Sequence, residues 1–412
     1  MNLALLSVLA LLVAIVLSCT TRLNIGLVAI PMAWGLGSLA GMDTAQILAG
    51  FPVTLFVTLS GVMLLFTQAE LNGTLAMVAR TVLRLAHGNL GWVALLFFAL
   101  AVSLSSLGAG AVTATALLMP LAIRCAERVG IPLLLMTILV GMGVNAGNLS
   151  PVSPVGVVTD SILLRDGLGG QAWAIYWNNL WAHLALTAIA FFLLGGLRLL
   201  QAKGRGDEGT SEPMEWRHWL SIVILAALLF GALIWKAPIG LAAFAGALVL
   251  SVSGAAPESE SIAKTPWNVV LMICGVTMLI ALLEKTGGMD LFSQWIGKYS
   301  TSDSVHAVLA FVTGAISTYS STSGVVLPAF VPLAVKLGTQ LGAEPLGLVS
   351  SIVLGSHLVD VSPLSTIGAI AVAAVGEGAA RGRLFNQLMV WSVSMTLVGA
   401  LASFVFFRLM AR

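Results

Sequence analysis

Two stretches decide how this chain folds: NAGNLSPVSPVG at 145–156 and SHLVDVSPLSTIG at 356–368. Each lies inside an apolar run, 131–158 and 345–376, that is too long for one membrane span. A span takes roughly 20 apolar residues in helical form, because lipid offers the backbone no hydrogen-bond partner. Proline withholds a donor and stops a helix, and glycine permits the turn. Each run therefore reads as a helix broken near its centre, with free carbonyls on one side of the break and free amides on the other.

The two breaks are copies of one another. From residue 105 to 156 a constant offset of 212 needs no gap, and 11 of those 52 positions are identical. The identities cluster at the Ser-Pro positions: Ser150/Ser362, Pro151/Pro363, Ser153/Ser365 and Gly156/Gly368. Upstream, FPVTLFVTLSGVMLLFTQAELNG at 51–73 matches TPWNVVLMICGVTMLIALLEKTG at 265–287, with Gly61/Gly275 and Glu70/Glu284 in register. Two further apolar pieces, 89–126 and 303–338, have polar centres, SLSSLGAGAVT at 103–113 and STYSSTSG at 317–324. They read as hairpins that enter and leave on one face. Adding single spans near 3–20, 23–41, 51–69, 179–200, 218–235, 237–253, 267–284 and 385–408 gives ten spans, five per half. An odd number of spans inverts the second copy. The expected fold is an all-α polytopic membrane protein of two inverted repeats, 1–200 and 218–412, joined by the charged linker QAKGRGDEGTSEPMEWR at 201–217. Each repeat has five spans, one re-entrant hairpin and a broken helix at the midplane. This is the architecture of secondary transporters.

Composition agrees. Of 412 residues 58% are hydrophobic and 9% charged, with mean hydropathy +1.02, which excludes a soluble enzyme. The net charge of +2 gives no reason to expect a nucleic-acid partner. Cys19, Cys125 and Cys274 fit no disulfide or metal spacing. The histidines (His87, His183, His218, His306, His357) have no ligand spacing, and neither HExxH nor GxSxG occurs, so an enzyme is not expected and no cofactor is implied.

The first run, Leu3 to Cys19, lacks a basic leading region and a small-x-small cleavage site before Arg22, and reads as a retained span. Twelve basic residues fall on one face of this topology and seven on the other, which makes the first face cytoplasmic and puts both termini outside. TLAMVARTVLRLAHG at 74–88 reads as an interfacial helix in the lipid headgroup layer, and seven tryptophans near span ends as belt anchors.

Freed carbonyls and hydroxyls suit a Na+ ion, whereas helix N-termini attract carboxylates, so an anion needs no intramembrane arginine. The substrate candidates are Ser105 and Ser106 at the first tip, and Ser321, Thr322 and Ser323 at the second. Ser150, Pro151 and Ser153 line the first break; Ser362, Pro363, Ser365 and Thr366 line the second. The coupling-ion candidates are Asn145, Asn148, Ser317, Ser320 and Asp360, with possible Na+ at the hairpin tips and helix breaks. Asp360 stands out as an acid inside a span whose repeat mate is the neutral Asn148. It ligates Na+, carries a coupled proton, or pairs with His357 one turn earlier. Glu70 and Glu284 close symmetric spans as caps or salt bridges, and His183 reads as packing.

The two hairpin-plus-broken-helix units, with SPVSPVG and SPLSTIG, resemble the ion transporter superfamily, especially the bacterial malonate/dicarboxylate carriers and, more distantly, the divalent anion–sodium symporters. The resemblance implies a homodimer in the bacterial inner membrane, each protomer with a scaffold and a mobile transport domain that works as an elevator. In the sodium symporters each tip carries Ser-Asn-Thr; here the second tip offers Ser321, Thr322 and Ser323, and the first, GAGAVTAT, lacks the Asn. The expected function is cation-coupled (Na+ or H+) transport of a small dicarboxylate, malonate or a C4 acid. The alternative is a cation/proton antiporter on the same fold.

Overall fold

The computed structural model describes residues 2–21, 23–77, 88–165, 167–202, 213–235, 237–375 and 378–410. The interfacial segment is described only at Thr74–Met77 and Gly88, and the linker only at its two ends; the rest of both lies outside the described residues.

The described chain is helical throughout, without strands. It opens with α1 (Leu3–Thr20), α2 (Ile25–Leu39), the short α3 (Thr44–Leu48) and α4 (Val53–Leu71). Then come α5 (Leu90–Leu104) and α6 (Gly110–Val129), joined by a tip at Ser105–Ala109, and α7 (Leu133–Gly147) and α8 (Pro154–Arg165), separated by the first break. Two helices, α9 (Ala172–Leu193) and α10 (Gly196–Gln201), end the first half. The second half repeats the order. It runs α11 (Trp216–Ile234), α12 (Ile239–Val252), α13 (Glu258–Lys264), α14 (Trp267–Lys285) and α15 (Gly288–Lys298). There follow α16 (Val305–Ser317), a tip through Thr322–Val326, α17 (Leu327–Leu341), α18 (Pro345–Val359), the second break, α19 (Thr366–Ala374) and α20 (Ala379–Met410).

Five helical stretches are long and apolar enough to cross a membrane, and seven shorter apolar helices accompany them among the described residues. The protein is a multi-pass membrane protein. Outward-facing Leu241, Leu248, Val252, Val390, Leu397 and Leu401 are exposed, as lipid-facing side chains must be when no water surrounds them. The seven tryptophans are exposed too. One expected span, 179–200, is displaced: α9 begins at Ala172 and stops at Leu193, before Gly195 at φ +87°. The polar pair Asn178 and Asn179 hides that start from a hydropathy reading, because the partners that satisfy Asn179 lie on α7.

The halves interlock. α2 packs along α14 and α12 along α4, and both crossings are made at glycine. A Cβ on Gly275 would sit 2.6 Å from Gly26 Cα, and one on Gly240 would sit 2.5 Å from Thr58 Cα, beside Gly61. Small residues let helix backbones touch where lipid supplies no hydrophobic drive to association.

At the centre stand α7 and α18. Every residue from Leu135 to Gly147 is buried, the mark of a helix enclosed by other helices. The arms α5 and α6 flank α7, and α16 and α17 flank α18. The distal arms cross over: α8 packs on α17 and α19 on α6, so Val155 and Val158 join the apolar cluster that holds α17, and Ile367 and Ala371 the one that holds α6. Glu284 closes α14 with an ion pair to Arg165 at the end of α8, 2.8 Å long.

Candidate functional site

Each tip rests on its own break through the same bond. Ser105 Oγ donates to Val144 O (2.7 Å), and 212 residues later Ser317 Oγ donates to Ser356 O (3.0 Å). The first tip turns at Gly108 and Gly110, whose φ values of +119° and +72° only glycine adopts readily. That turn carries Ala111 N to Asn148 Oδ1 (3.1 Å). At the second tip Ser321 Oγ accepts from Gly324 N (3.2 Å). Thr322 Oγ1 there shares a short hydrogen bond with Ser317 and meets the Asp360 carboxyl.

The breaks themselves are closed locally. Ser150 Oγ accepts from Val152 N and, in the same register, Ser362 Oγ accepts from Leu364 N. Ser365 Oγ donates to the Asp360 and Ser362 carbonyls. Its mate Ser153 is different: fully buried, its hydroxyl has no partner among the described residues, and neither has Asn148 Nδ2. Two buried donors of the first break are thus left over, which is costly unless a ligand takes them.

Asn145 and His357 join the breaks, since Asn145 Nδ2 donates to His357 O (3.0 Å). Thus Ser105, Asn145, Asn148, Ser150 and Ser153 form one group and Ser317, Thr322, Asp360, Ser362 and Ser365 its counterpart. Ser106 Oγ pairs with Tyr176 OH (3.0 Å). Pro363 and Ser320 are buried, Pro151, Ser321 and Ser323 half-buried, and Thr366 is exposed.

Asp360 and His357 form no ion pair. The His357 ring turns to α9, where Nδ1 lies 3.4 Å from Asn179 Oδ1 and the ring centroid 6.0 Å from that of His183. Asn179 Nδ2 donates to both Asn145 O (2.8 Å) and Ala146 O (3.0 Å), and His183 Nδ1 donates to Asn179 O (2.9 Å). This buried cluster escaped the sequence reading. Its one signal is a pair of asparagines, Asn178 and Asn179, within an otherwise apolar helix.

Of the cavities, one of about 390 Å³ lined by Asn24, Phe51 and Trp267 and one of about 550 Å³ lined by Trp295 and Tyr299 lie away from the breaks. Among the described residues no cluster of His, Cys, Asp and Glu has the make-up of a transition-metal centre.

Comparison with known proteins gives the same direction. The chain is similar to the Alcanivorax borkumensis YdaH transporter, described as having an unusual topology: TM-score 0.57 over 98% of both chains at 17% identity, a likeness of fold alone. A segment of 126 residues is 27% identical to the C4-dicarboxylate transporter DcuA of Serratia marcescens, covering 30% of this chain and 91% of that protein. The profile of the N-terminal region of the dicarboxylate carrier protein MatC matches residues 1–148 and 216–358, the opening stretches of the two halves and more than half of the chain. A membrane-embedded carrier with two matched helix breaks, rather than an enzyme, is what these findings describe, and the chain belongs to the MatC dicarboxylate carrier family.

Proposed function

We propose that the protein is a secondary transporter of small dicarboxylates, malonate or a C4 acid, coupled to Na+ or H+, whose halves are inverted repeats with re-entrant hairpins. The observation that carries this reading is the recurrence, 212 residues apart, of the bond that seats each tip on its break, with the two breaks joined at Asn145 and His357. A site made twice over, from both halves, is the midplane arrangement that inverted repeats give secondary transporters.

The chemistry divides between the breaks. The first supplies unpartnered donors, Asn148 Nδ2 and Ser153 Oγ, and the N-terminus of α8, all suited to a carboxylate. The second supplies a carboxylate, Asp360, with the Ser317 and Thr322 hydroxyls beside it, suited to the coupling cation. Asn145 stays with the ion set: its amide nitrogen bridges the breaks, and its buried Oδ1, without a partner among the described residues, is an acceptor left for a cation. Substrate and cation then attract one another in a site of low dielectric and offset part of each other's charge, which favours their joint movement. A homodimer moving as an elevator in the bacterial inner membrane, as the family resemblance implies, with both termini outside, as the basic residues imply, completes the proposal.

Uptake of labelled malonate and succinate into proteoliposomes, under an inward Na+ gradient and separately an inward proton gradient, tests the function. Saturable uptake under one gradient is expected. Its absence in folded protein transfers the reading to a cation/proton antiporter. Ser153→Ala, which deletes one free donor and leaves the tip bond intact, is expected to raise KM for malonate about 10–100-fold, the worth of one hydrogen bond to a charged group.

A further inference from the structure

The two breaks match in backbone but differ in what they leave for a cation. At the first, three successive carbonyls receive side-chain donors: Val144 O from Ser105, and Asn145 O and Ala146 O from the single Asn179 amide nitrogen. The Asn148 oxygen is occupied as well, by Ala111 N; the acceptor left over is the Asn145 side-chain oxygen, on the amide whose nitrogen reaches across to His357 O of the second break. At the second, Ser356 O and His357 O have donors, the Leu358 carbonyl has none among the described residues, and the ionisable Asp360 stands in place of Asn148.

Asn179 arrives from α9, outside the break. Its NH2 group lies between two neighbouring carbonyl oxygens, with the location and polarity of a bound monovalent cation. Its orientation is imposed, because the amide oxygen faces His357 Nδ1 and the nitrogen the two carbonyls. The residue is 4% exposed, so water does not compete for these bonds.

We propose that the Asn179 carboxamide permanently fills the cation position of the first break, so that each protomer takes one coupling cation, at Asp360. The inference rests on the carrier reading above. A dianion moving with one monovalent cation transfers one net negative charge, so an inside-positive potential favours inward transport. Asn179→Gly uncovers both carbonyls, admits a second cation and makes the cycle electroneutral.

The experiment is malonate uptake into proteoliposomes under whichever cation gradient drives it, at a pH well above carboxylate titration. Potentials of either sign are set with K+ and valinomycin. For the unaltered protein the accumulated malonate is expected to rise about tenfold for each ~60 mV made inside-positive. In Asn179→Gly that dependence disappears. Voltage-independent uptake, or acceleration by an inside-negative potential, in the unaltered protein overturns the inference even if the variant does not fold. So does a folded variant that keeps the original voltage dependence. Failure of malonate uptake under both gradients strikes instead at the carrier reading.

Discussion

Asp360→Asn is expected to reduce gradient-driven malonate uptake about 100-fold while leaving the protein folded. The substitution keeps the shape of the side chain and makes the second break chemically like the first, where Asn148 occupies the same register. What it removes is the carboxylate proposed to hold the coupling cation, with Thr322 beside it and Ser317 bonded to Thr322. Loss of a charged partner from a buried site costs about 2–5 kcal/mol of binding, enough to empty the site at ordinary cation concentrations. The folded state does not suffer, because a neutral amide is cheaper to bury than an uncompensated carboxylate. Two readouts check this. In the unaltered protein the coupling cation is expected to raise the melting temperature, since a ligand at 100 times its Kd stabilises by about 2.7 kcal/mol. In Asp360→Asn that rise vanishes together with uptake. Full transport by Asp360→Asn would place the coupling cation elsewhere.

The second large effect is on assembly. Gly275→Leu is expected to destabilise the protein by about 3 kcal/mol or more, read as loss of monodisperse material and a lowered melting temperature. The added Cβ lies 2.6 Å from Gly26 Cα, on backbone that cannot rotate away, so α2 and α14 must separate. Overpacking is cheap where a flexible side chain gives way and expensive where the neighbour is main chain. Gly35→Leu on the same α2 is the control: nothing lies within 4 Å of a Cβ there, and the chain should tolerate it. Equal damage from both substitutions would mean that the glycines matter for helix flexibility rather than for the crossing.

The contrast between Gly26 and Gly35 shows where sequence stops being informative. Both are glycines in one apolar helix, and only the approach of α14 from the other half distinguishes them. The pairing of Gly61 with Gly275 across the repeat was legible, yet each of these glycines packs on a partner that the alignment does not name. Similarly, Asn179 carries no assignment in the sequence beyond standing at the start of the expected span 179–200. Its role depends on two carbonyls 33 and 34 residues away, brought beside it by the packing of α9 on α7.

What the sequence determined by itself is local chemistry and its repetition. Apolar runs of span length, proline and glycine at the centre of two of them, and a shared offset of 212 are properties of residues and their order. They were enough to indicate a membrane carrier with paired helix breaks, and to single out Asp360 against Asn148, because the cost of a charge at membrane depth needs no knowledge of neighbours. Tertiary structure decided which groups at those breaks are already satisfied. Ser153 and Ser365 occupy the same repeat position, but only Ser365 finds carbonyls for its hydroxyl, and His357 turns from Asp360 toward Asn179. Hydrogen-bond satisfaction depends on distances of a few tenths of an ångström between segments far apart in the chain, and no local pattern encodes that.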